Sequence, residues 1–412
     1  MNKSPRLVAL ETLYSIFYDG SYSNIALDKA LSDIKENKAF ISALVYGVTE
    51  RKITLDYFID KYAQGRIKPK VRIVLWLGAY QLLFMDKVPS SASINESVKL
   101  VKEIKQDYYS KLVNAVLHKI DNDRQIPDDL SVKYSVPENL INMWKKQYGE
   151  DVLNEFLPCI NDKPPLFAIP NKKFVNSDEL LYELECDGIL GEAYDEFVLI
   201  ENANDLTDSK AFKNGLFYIE DLSSFNCANA LDALSDDLVL DMCSAPGGKA
   251  FTISQSMNNS GRIYCYDLHE HRLNLIKSSA KRLSIDNIYT DVNDATVYNE
   301  NIPKADKILC DVPCSGFGII RRKPEIRYKD LDSVKDLPQI QYKILETSSR
   351  YLKDGGRIIY STCTLNKKEN ENVVNKFLKD HSGYKLLKEK TVFPSTVGGD
   401  GFYYAIMVKN EN

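Results

Sequence analysis

Two cysteines, each placed directly after a short apolar run, are the residues of this sequence best suited to covalent chemistry. Cys314 lies in Asp-Val-Pro-Cys-Ser-Gly, after the run Lys-Ile-Leu-Cys that begins at Lys307. Cys363 lies in Ser-Thr-Cys-Thr, after the run Gly-Arg-Ile-Ile-Tyr that begins at Gly356. A lone cysteine at a strand end is most often a small core residue. Two that end neighbouring strands would open on the same cleft, where a thiol can form and later break a covalent adduct.

A glycine turn upstream of both cysteines is suited to hold a cofactor. Residues 241–249 read Asp-Met-Cys-Ser-Ala-Pro-Gly-Gly-Lys, between a predicted strand and a predicted helix. Gly247 and Gly248 let the backbone approach a ligand, and the helix start offers free N–H groups to an anion. Asp267 ends the next strand, where a carboxylate can accept both ribose hydroxyls. Asp294, after the third strand, is placed to meet an adenine amino group or, alternatively, to cap a helix.

The turn matches neither the dinucleotide pattern nor the P-loop pattern, so S-adenosylmethionine is favoured over dinucleotides and ATP. The carboxylate of S-adenosylmethionine can accept hydrogen bonds from the N–H groups at the helix start. Its ribose hydroxyls can donate hydrogen bonds to an acidic side chain. One cofactor turn, one acidic residue (Asp311) and two thiols predict methyl transfer to carbon 5 of a pyrimidine. That carbon is a poor nucleophile until a thiolate adds at carbon 6. Asp311 is placed to hydrogen-bond the N3/N4 edge of a cytosine.

Three segments together resemble the RNA 5-methylcytosine methyltransferases of the Nop2/NSUN/Fmu (Sun) family. They are Ser-Ala-Pro-Gly-Gly-Lys from Ser244, Asp-Val-Pro-Cys-Ser-Gly from Asp311, and Ser-Thr-Cys-Thr from Ser361. The N-terminal helices resemble the NusB-type RNA-binding domain, notably Leu-Gly-Ala-Tyr-Gln-Leu-Leu from Leu77 and Val-Asn-Ala-Val-Leu from Val113. This arrangement covers nearly the whole chain and is similar to bacterial members that methylate small-subunit (16S) ribosomal RNA.

The resemblance implies a role for each site residue. It makes Cys363 the nucleophile and Cys314 the helper of product release; DNA cytosine methyltransferases attack from the Pro-Cys motif, so this division of labour rests on the family. The residues implied to contact the cofactor or the target base are Cys243, Ser244, Ala245, Pro246, Gly247, Gly248, Lys249, Asp267, Asp294 and Asp311. Two positions depart from the family pattern: Glu220 stands where relatives usually carry glutamine, and Ile169 where arginine is usual, so one expected RNA contact is in doubt.

A basic cluster follows the Cys314 motif directly, in Arg-Arg-Lys-Pro-Glu-Ile-Arg. Such clusters are often solvated loops, but the position beside the predicted site favours binding of the RNA backbone. The expected RNA contacts are Arg321, Arg322, Lys323 and Arg327.

The elements that position these residues predict an α/β protein. Residues 1–125 show helical periodicity only, with residues 73–84 apolar nearly all round and therefore central in a NusB-like bundle. Residues 131–225 predict a small α+β module, in which the segment from Pro164 resembles an edge strand. Residues 226–412 alternate strand and helix, which predicts a doubly wound α/β sheet. The family resemblance implies that this sheet is a Rossmann-like domain of the class I methyltransferase type.

The bulk composition sets further expectations. The 412 residues are 44% hydrophobic and 27% charged, with no apolar run near the roughly 20 residues of a membrane span. Eight cysteines without a C-x-x-C pair indicate neither a disulfide framework nor a structural metal. A net charge of −5 is weak evidence against nucleic acid, since phosphate binding depends on local patches. We expect a cytoplasmic monomer that binds RNA, and neither DNA nor a membrane as partner.

Alternatives remain at this point. The same chemistry could act on tRNA or on large-subunit ribosomal RNA. An alternative from a different functional class is a non-enzymatic RNA-binding factor of the NusB type with a decayed methyltransferase domain. The intact motifs argue against this alternative. An amino-methylating enzyme usually carries Asn/Asp-Pro-Pro-Tyr where this chain has Asp-Val-Pro-Cys.

Overall fold

The computed structural model describes residues 3–202, 206–394 and 398–411. The chain divides into two compact units, Met1–Asp162 with Ile320–Lys329 and Lys163–Ile319 with Asp330–Asn412. The segment 131–225, expected to be one module, is therefore divided between the units at Asp162. Within the described ranges, no helix has the length and apolar character that a membrane crossing requires.

The first unit is helical throughout its described residues. Its helices are α1 (Pro5–Tyr18), α2 (Ser23–Leu31), α3 (Lys38–Tyr62), α4 (Pro69–Phe84), α5 (Ser90–Glu103), α6 (Ser110–Asn122), α7 (Leu130–Tyr134), α8 (Glu138–Tyr148) and α9 (Glu150–Phe156), with short 3₁₀ turns at Asp107–Tyr109, Leu157–Asn161 and Pro324–Tyr328. Helix α4 packs against α1, α3, α5 and α6. Its sequence is apolar nearly all round because it has neighbours on every side, as the pattern of residues 73–84 predicts.

The second unit begins with a small antiparallel sheet in the order β2-β3-β1-β4. Its strands are β1 (Leu166–Pro170), β2 (Gly191–Tyr194), β3 (Phe197–Ile200) and β4 (Phe217–Ile219), with helices α10 (Ser177–Cys186) and α11 (Lys210–Lys213), a 3₁₀ turn at Leu206–Asp208, and α12 (Leu222–Asn229) after them. The expectation that β1 is an edge strand is wrong, because β1 pairs with both β3 and β4. Pro164 and Pro165 precede the strand and Pro170 ends it, so the prolines sit where they cost few ladder hydrogen bonds.

The large sheet has the order β10-β11-β9-β8-β5-β6-β7 in the described part of the chain. Its strands are β5 (Leu238–Asp241), β6 (Arg262–Asp267), β7 (Ile288–Val292), β8 (Ala305–Asp311), β9 (Leu352–Thr362), β10 (Tyr384–Val392) and β11 (Phe402–Lys409); its helices are α13 (Gly248–Ser256), α14 (Glu270–Arg282), α15 (Leu337–Ser349) and α16 (Glu371–Asp380), with a 3₁₀ turn at Leu331–Val334. Strands β5 to β9 pair in parallel, and β11 runs antiparallel to β9 and β10.

This topology confirms the predicted fold class. From β5 the chain adds β6 and β7 on one side and then returns to add β8 and β9 on the other. The strand order therefore reverses at β5, and ligands in such sheets bind outside the carboxyl ends of the strands at the reversal. The glycine turn follows β5, and the two cysteine motifs follow β8 and β9.

Candidate active site

The carboxyl ends of β8 and β9 bring the two cysteine motifs together. Asp311 of β8 is in register with Ser361 of β9. The Ser361 hydroxyl donates to Asp311 Oδ1 at 2.8 Å. The Sγ atoms of Cys314 and Cys363 lie 3.2 Å apart, and both side chains are half-buried. A disulfide would bring them to about 2.05 Å, so these are two free thiols in contact.

The two cysteine loops are tied to each other through the backbone. The N–H of Gly318 donates to the carbonyl of Cys363 at 3.0 Å, and the N–H of Gly401 donates to the carbonyl of Gly318 at 2.9 Å. A Cβ at Gly318 would lie 2.0 Å from the carbonyl oxygen of Gly401, so only glycine permits this approach. The hydroxyls of Ser315 and Thr364 also share a hydrogen bond of 2.7 Å.

The thiol of Cys314 is held in its protonated form. The pKa of Cys314 lies well above its ordinary value because the thiol hydrogen-bonds Cys363 and is buried, and because the carboxylates of Glu369 and Asp311 oppose a second negative charge nearby. Near neutral pH, Cys314 is therefore a thiol whose Sγ lies 3.2 Å from that of Cys363, and either sulfur can donate the hydrogen bond between them.

A lysine surrounded by three carboxylates occupies the adjoining cleft. Lys249 Nζ lies 2.8 Å from Asp311 Oδ2 and 3.1 Å from Ser224 Oγ. Burial acts to lower the pKa of Lys249, but the carboxylates of Asp311 and Glu220 outweigh it and the pKa lies above its ordinary value. Burial raises the pKa of Glu220 to about 7 against the opposing effect of Lys249. It also raises the pKa of Asp241 to about 7, with Asp311 adding to the effect.

The cluster therefore has more acidic groups than its single ammonium can balance, and two of the carboxyls exchange protons near neutral pH. A cationic ligand in this cleft would be favoured electrostatically.

The glycine turn forms one wall of a cleft of about 370 Å³. Gly247 has φ of +111°, a conformation that side chains disfavour, and a Cβ there would lie 2.8 Å from the ring of Phe251. On the other side of the turn, a Cβ at Gly248 would lie 3.0 Å from Glu220 Oε1. The predicted site residues that line the cleft are Cys243, Ser244, Ala245, Pro246, Gly248, Lys249 and Asp311.

The described residues that line this cleft include neither Asp267 nor Asp294. Asp267 is buried, with Arg272 Nη1 3.0 Å from its Oδ2, and it accepts the N–H of His269 at 3.1 Å. Asp294 is exposed, and its Oδ1 accepts the backbone N–H of Thr296 at 2.9 Å and the hydroxyl of the same residue at 2.6 Å. Asp294 lies between β7 and β8, so these two bonds close a local turn rather than cap a helix.

Comparison with known proteins adds independent evidence. A model of the 16S rRNA methyltransferase RsmB/F family matches residues 228–408, and the NusB family model matches residues 3–122. The chain is 33% identical to the probable ribosomal RNA small subunit methyltransferase B of Bacillus subtilis (strain 168), in an alignment that covers 98% of this chain and 99% of that protein. The chain belongs to the RsmB/F methyltransferase family.

Other relatives agree with this membership. The chain is 28% identical to the ribosomal RNA small subunit methyltransferase B of Photorhabdus laumondii, over 98% of each chain. The crystal structure of PH0851 superposes with a TM-score of 0.83 at 26% identity, covering 99% of this chain and 100% of that one. The structure of NSun6 from Pyrococcus horikoshii with SFG matches with a TM-score of 0.61 at 21% identity, covering 67% and 99%, which supports the fold.

The basic cluster of this RsmB/F member lies in its helical unit. Two of its four cationic side chains are buried and two are partly exposed. Arg327 is buried, and its Nη1 donates to the carbonyls of Glu50 at 2.9 Å and Ser135 at 3.2 Å and to Asn161 Oδ1 at 2.8 Å. Arg327 thus joins α3 to the segments that follow α7 and α9. Arg321 is also buried. Burial speaks against the RNA contacts that the sequence predicted for Arg321 and Arg327.

The remaining two cations of the cluster, Arg322 and Lys323, are partly exposed. Lys323 Nζ lies 5.6 Å from the ring centre of Tyr22. These two side chains are the ones that the structure leaves accessible to a phosphate backbone.

Sequence reasoning missed several polar partners of the RsmB/F site. Ser361 and Ser224 hold the Asp311–Lys249 pair. Ser361 is the first residue of the Ser-Thr-Cys-Thr motif, but the sequence assigned it no role of its own. Glu369 is fully buried behind the thiols, although Asn-Lys-Lys-Glu reads as an exposed helix start. Two of its partners, Ser315 and Gln341, are far away in sequence, so periodicity carries no signal of its burial.

Proposed function

We propose that this chain transfers a methyl group from S-adenosylmethionine to carbon 5 of a cytosine in 16S ribosomal RNA, through a covalent adduct of Cys363. The observation that carries the proposal is the contact of 3.2 Å between the Sγ atoms of Cys363 and Cys314 beside Asp311. Two thiols in contact suit a reaction in which one sulfur bonds to carbon and the other assists its release. Membership of the RsmB/F family supports the ribosomal RNA substrate.

The cleft beside the glycine turn fits the cofactor. S-adenosylmethionine supplies an electrophilic methyl group on a positively charged sulfur. The carboxylates of Glu220, Asp241 and Asp311 around Lys249 suit a neighbouring cation. The start of α13 offers N–H groups to the carboxylate of the cofactor. Asp267 is the acceptor we assign to the ribose hydroxyls, and Asp294 remains a candidate for the adenine amino group.

The covalent step belongs to Cys363. Its thiolate adds to carbon 6 of the cytosine, and the electron pair of the ring moves to carbon 5, which then attacks the methyl group. Loss of the carbon 5 proton to a base follows, the sulfur–carbon bond breaks, and the thiolate is restored. An S–H from Cys314 stabilises the departing sulfur as negative charge develops on it.

Asp311 selects the base. Its carboxylate accepts a hydrogen bond from the amino group at position 4 of cytosine. Uracil has a carbonyl oxygen at this position, which cannot donate a hydrogen bond and is repelled by the carboxylate. Recognition of this kind discriminates strongly because a mismatched base leaves a buried polar group unpaired. Lys249 and Ser361 hold the two oxygens of Asp311 in a fixed direction.

RNA recognition would rest on the helical unit and on accessible cations. We assign contacts with the phosphate backbone to Arg322 and Lys323, which position the RNA without reading its sequence. The target cytosine must leave its stack to reach the thiols.

The test is transfer of labelled methyl groups from S-adenosylmethionine to protein-free 16S ribosomal RNA, followed by nucleoside analysis. We expect the label in 5-methylcytosine, its loss in Cys363→Ala, and unchanged transfer in Cys186→Ala, which alters an exposed cysteine of the small module. Label in any other nucleoside would overturn the reaction. Cofactor binding without transfer to this RNA, but with transfer to tRNA, to large-subunit RNA or to an assembled particle, would replace the substrate and keep the chemistry.

A further inference from the structure

Glu369 is a fully buried carboxylate behind the two active-site thiols. Four neutral groups donate hydrogen bonds to it. Its Oε2 accepts from the N–H of Ser315 at 2.9 Å and from Gln341 Nε2 at 3.0 Å. Its Oε1 accepts from the hydroxyl of Ser315 at 2.6 Å and from Asn366 Nδ2 at 2.8 Å. Burial of a carboxylate is costly, and several directed donors are what makes it tolerable.

These donors flank Cys314 on both sides. Ser315 follows Cys314 directly and gives Glu369 two hydrogen bonds. Gln341 donates from the same Nε2 to the carbonyl of Pro313, directly before Cys314, at 3.0 Å. Both chain neighbours of Cys314 are therefore tied to one carboxylate, one directly and one through Gln341.

Glu369 itself belongs to the loop that carries Cys363. It lies between the end of β9 and the start of α16, and the hydroxyl of Tyr360, in β9, donates to its carbonyl. The carboxylate thus links the loop of one thiol to the loop of the other. Its negative charge also contributes to keeping Cys314 protonated.

We propose that Glu369 is a positioning residue for product release, holding Cys314 through Ser315 and Gln341 so that its S–H faces the sulfur of Cys363 as the covalent bond breaks. This inference rests on the proposed function. It predicts that loss of the carboxylate slows release of the methylated RNA more than it slows formation of the adduct. A merely structural role would lower stability without changing which step is slow.

The test is the substitution Glu369→Gln in the full chain. Glutamine keeps the shape, but its amide group faces at least one of the four donors, so the set cannot be satisfied. We expect an SDS-resistant adduct of protein and labelled 16S RNA to accumulate about tenfold over wild type, with methyl transfer in the first turnover close to normal. Glu371→Gln is the matched control, since the side chain that donates to its carboxylate, at 3.4 Å, is Thr391 and not a neighbour of Cys314.

Two further variants, Cys314→Ala and Ser315→Ala, distinguish failure of the positioning role from failure of the proposed function. Cys314→Ala should trap the same adduct under the proposed function, so absence of the band in this variant overturns the proposed function itself. A band with Cys314→Ala but a wild-type level with Glu369→Gln overturns the positioning role alone, as does equal slowing of adduct formation and release. If Glu369→Gln does not fold, Ser315→Ala removes one of the four bonds and must raise the adduct level for the inference to stand.

Discussion

Lys249, in the first turn of α13, and Asp311, at the end of β8, form an ion pair of 2.8 Å between Nζ and Oδ2. The second oxygen of Asp311 accepts the hydroxyl of Ser361 from β9. One carboxylate therefore joins the cofactor turn to the strand that carries Cys363. The cofactor cleft and the thiol site are thus fixed relative to each other by side chains from the start of α13 and from the ends of β8 and β9.

The first prediction concerns this ion pair. Lys249→Ala leaves Asp311 near Glu220 and Asp241 with no ammonium to offset them. We expect a loss of about 3 kcal/mol in the free energy of unfolding, since breaking a buried pair strands its partner. Methyl transfer should fall on the order of 100-fold or more because Asp311 loses its orientation. Chemical denaturation and kcat/KM measure the two effects.

The control for Lys249→Ala is Lys353→Ala. Lys353 pairs with Asp306 of β8 at the same distance of 2.8 Å, but its side chain is 48% exposed. An exposed pair of this kind contributes at most about 1 kcal/mol. Equal losses of stability in the two variants would contradict the special position of Lys249.

The strand ends that form this site could be predicted from the sequence because buried parallel strands are short apolar runs. Such runs end in residues that no longer need to be apolar, here Asp241, Asp311 and Cys363. The strand β10 escaped prediction because it lies at the edge of the sheet and carries Lys388 and Glu389 on exposed positions. Charges on edge strands prevent pairing with other chains, and they also remove the apolar signal.

The sequence could not predict which charged residues are buried. Glu369 and Arg327 both stand in highly charged segments, and both are buried because donors or acceptors distant in sequence surround them. Nothing local distinguishes such residues from solvated ones. Only the packing of Gln341 and Ser135 against them reveals their roles.

The second prediction concerns pH. Burial raises the pKa of Glu220 to about 7, above an unfolded value of about 4.3. The folded state therefore binds the proton more tightly, and this stabilising contribution is present below about pH 4 and is lost as pH rises through 7. We expect Glu220→Gln to equal wild type in free energy of unfolding near pH 4 and to exceed it by about 3 kcal/mol at pH 8.

Denaturation curves at several pH values measure this difference. Glu201→Gln, which changes an exposed glutamate, should run parallel to wild type at every pH. A difference between Glu220→Gln and wild type that stays constant with pH would refute the protonated state of Glu220.

The third prediction separates two cations of the basic cluster. Arg327→Ala removes the hydrogen-bond donor of the Glu50 and Ser135 carbonyls. We therefore expect the free energy of unfolding of the helical unit to fall by about 3 kcal/mol. Lys323→Ala should leave stability unchanged, weaken RNA binding several-fold and reduce the salt dependence of binding by about one phosphate contact. Thermal unfolding and RNA titrations over a range of salt concentrations test both. Unchanged RNA affinity in Lys323→Ala would exclude it as a contact.

The last prediction assigns the two sulfurs. Cys363→Ala should abolish turnover and give no adduct, because the sulfur that bonds to carbon 6 is gone. Cys314→Ala should still form the bond but release it slowly, because the S–H that lies 3.2 Å from the leaving sulfur is missing. Denaturing gels with labelled RNA distinguish these outcomes, and Cys186→Ala should behave as wild type. If the SDS-resistant band instead required the absence of Cys363, the nucleophile would be Cys314 and the roles would be reversed.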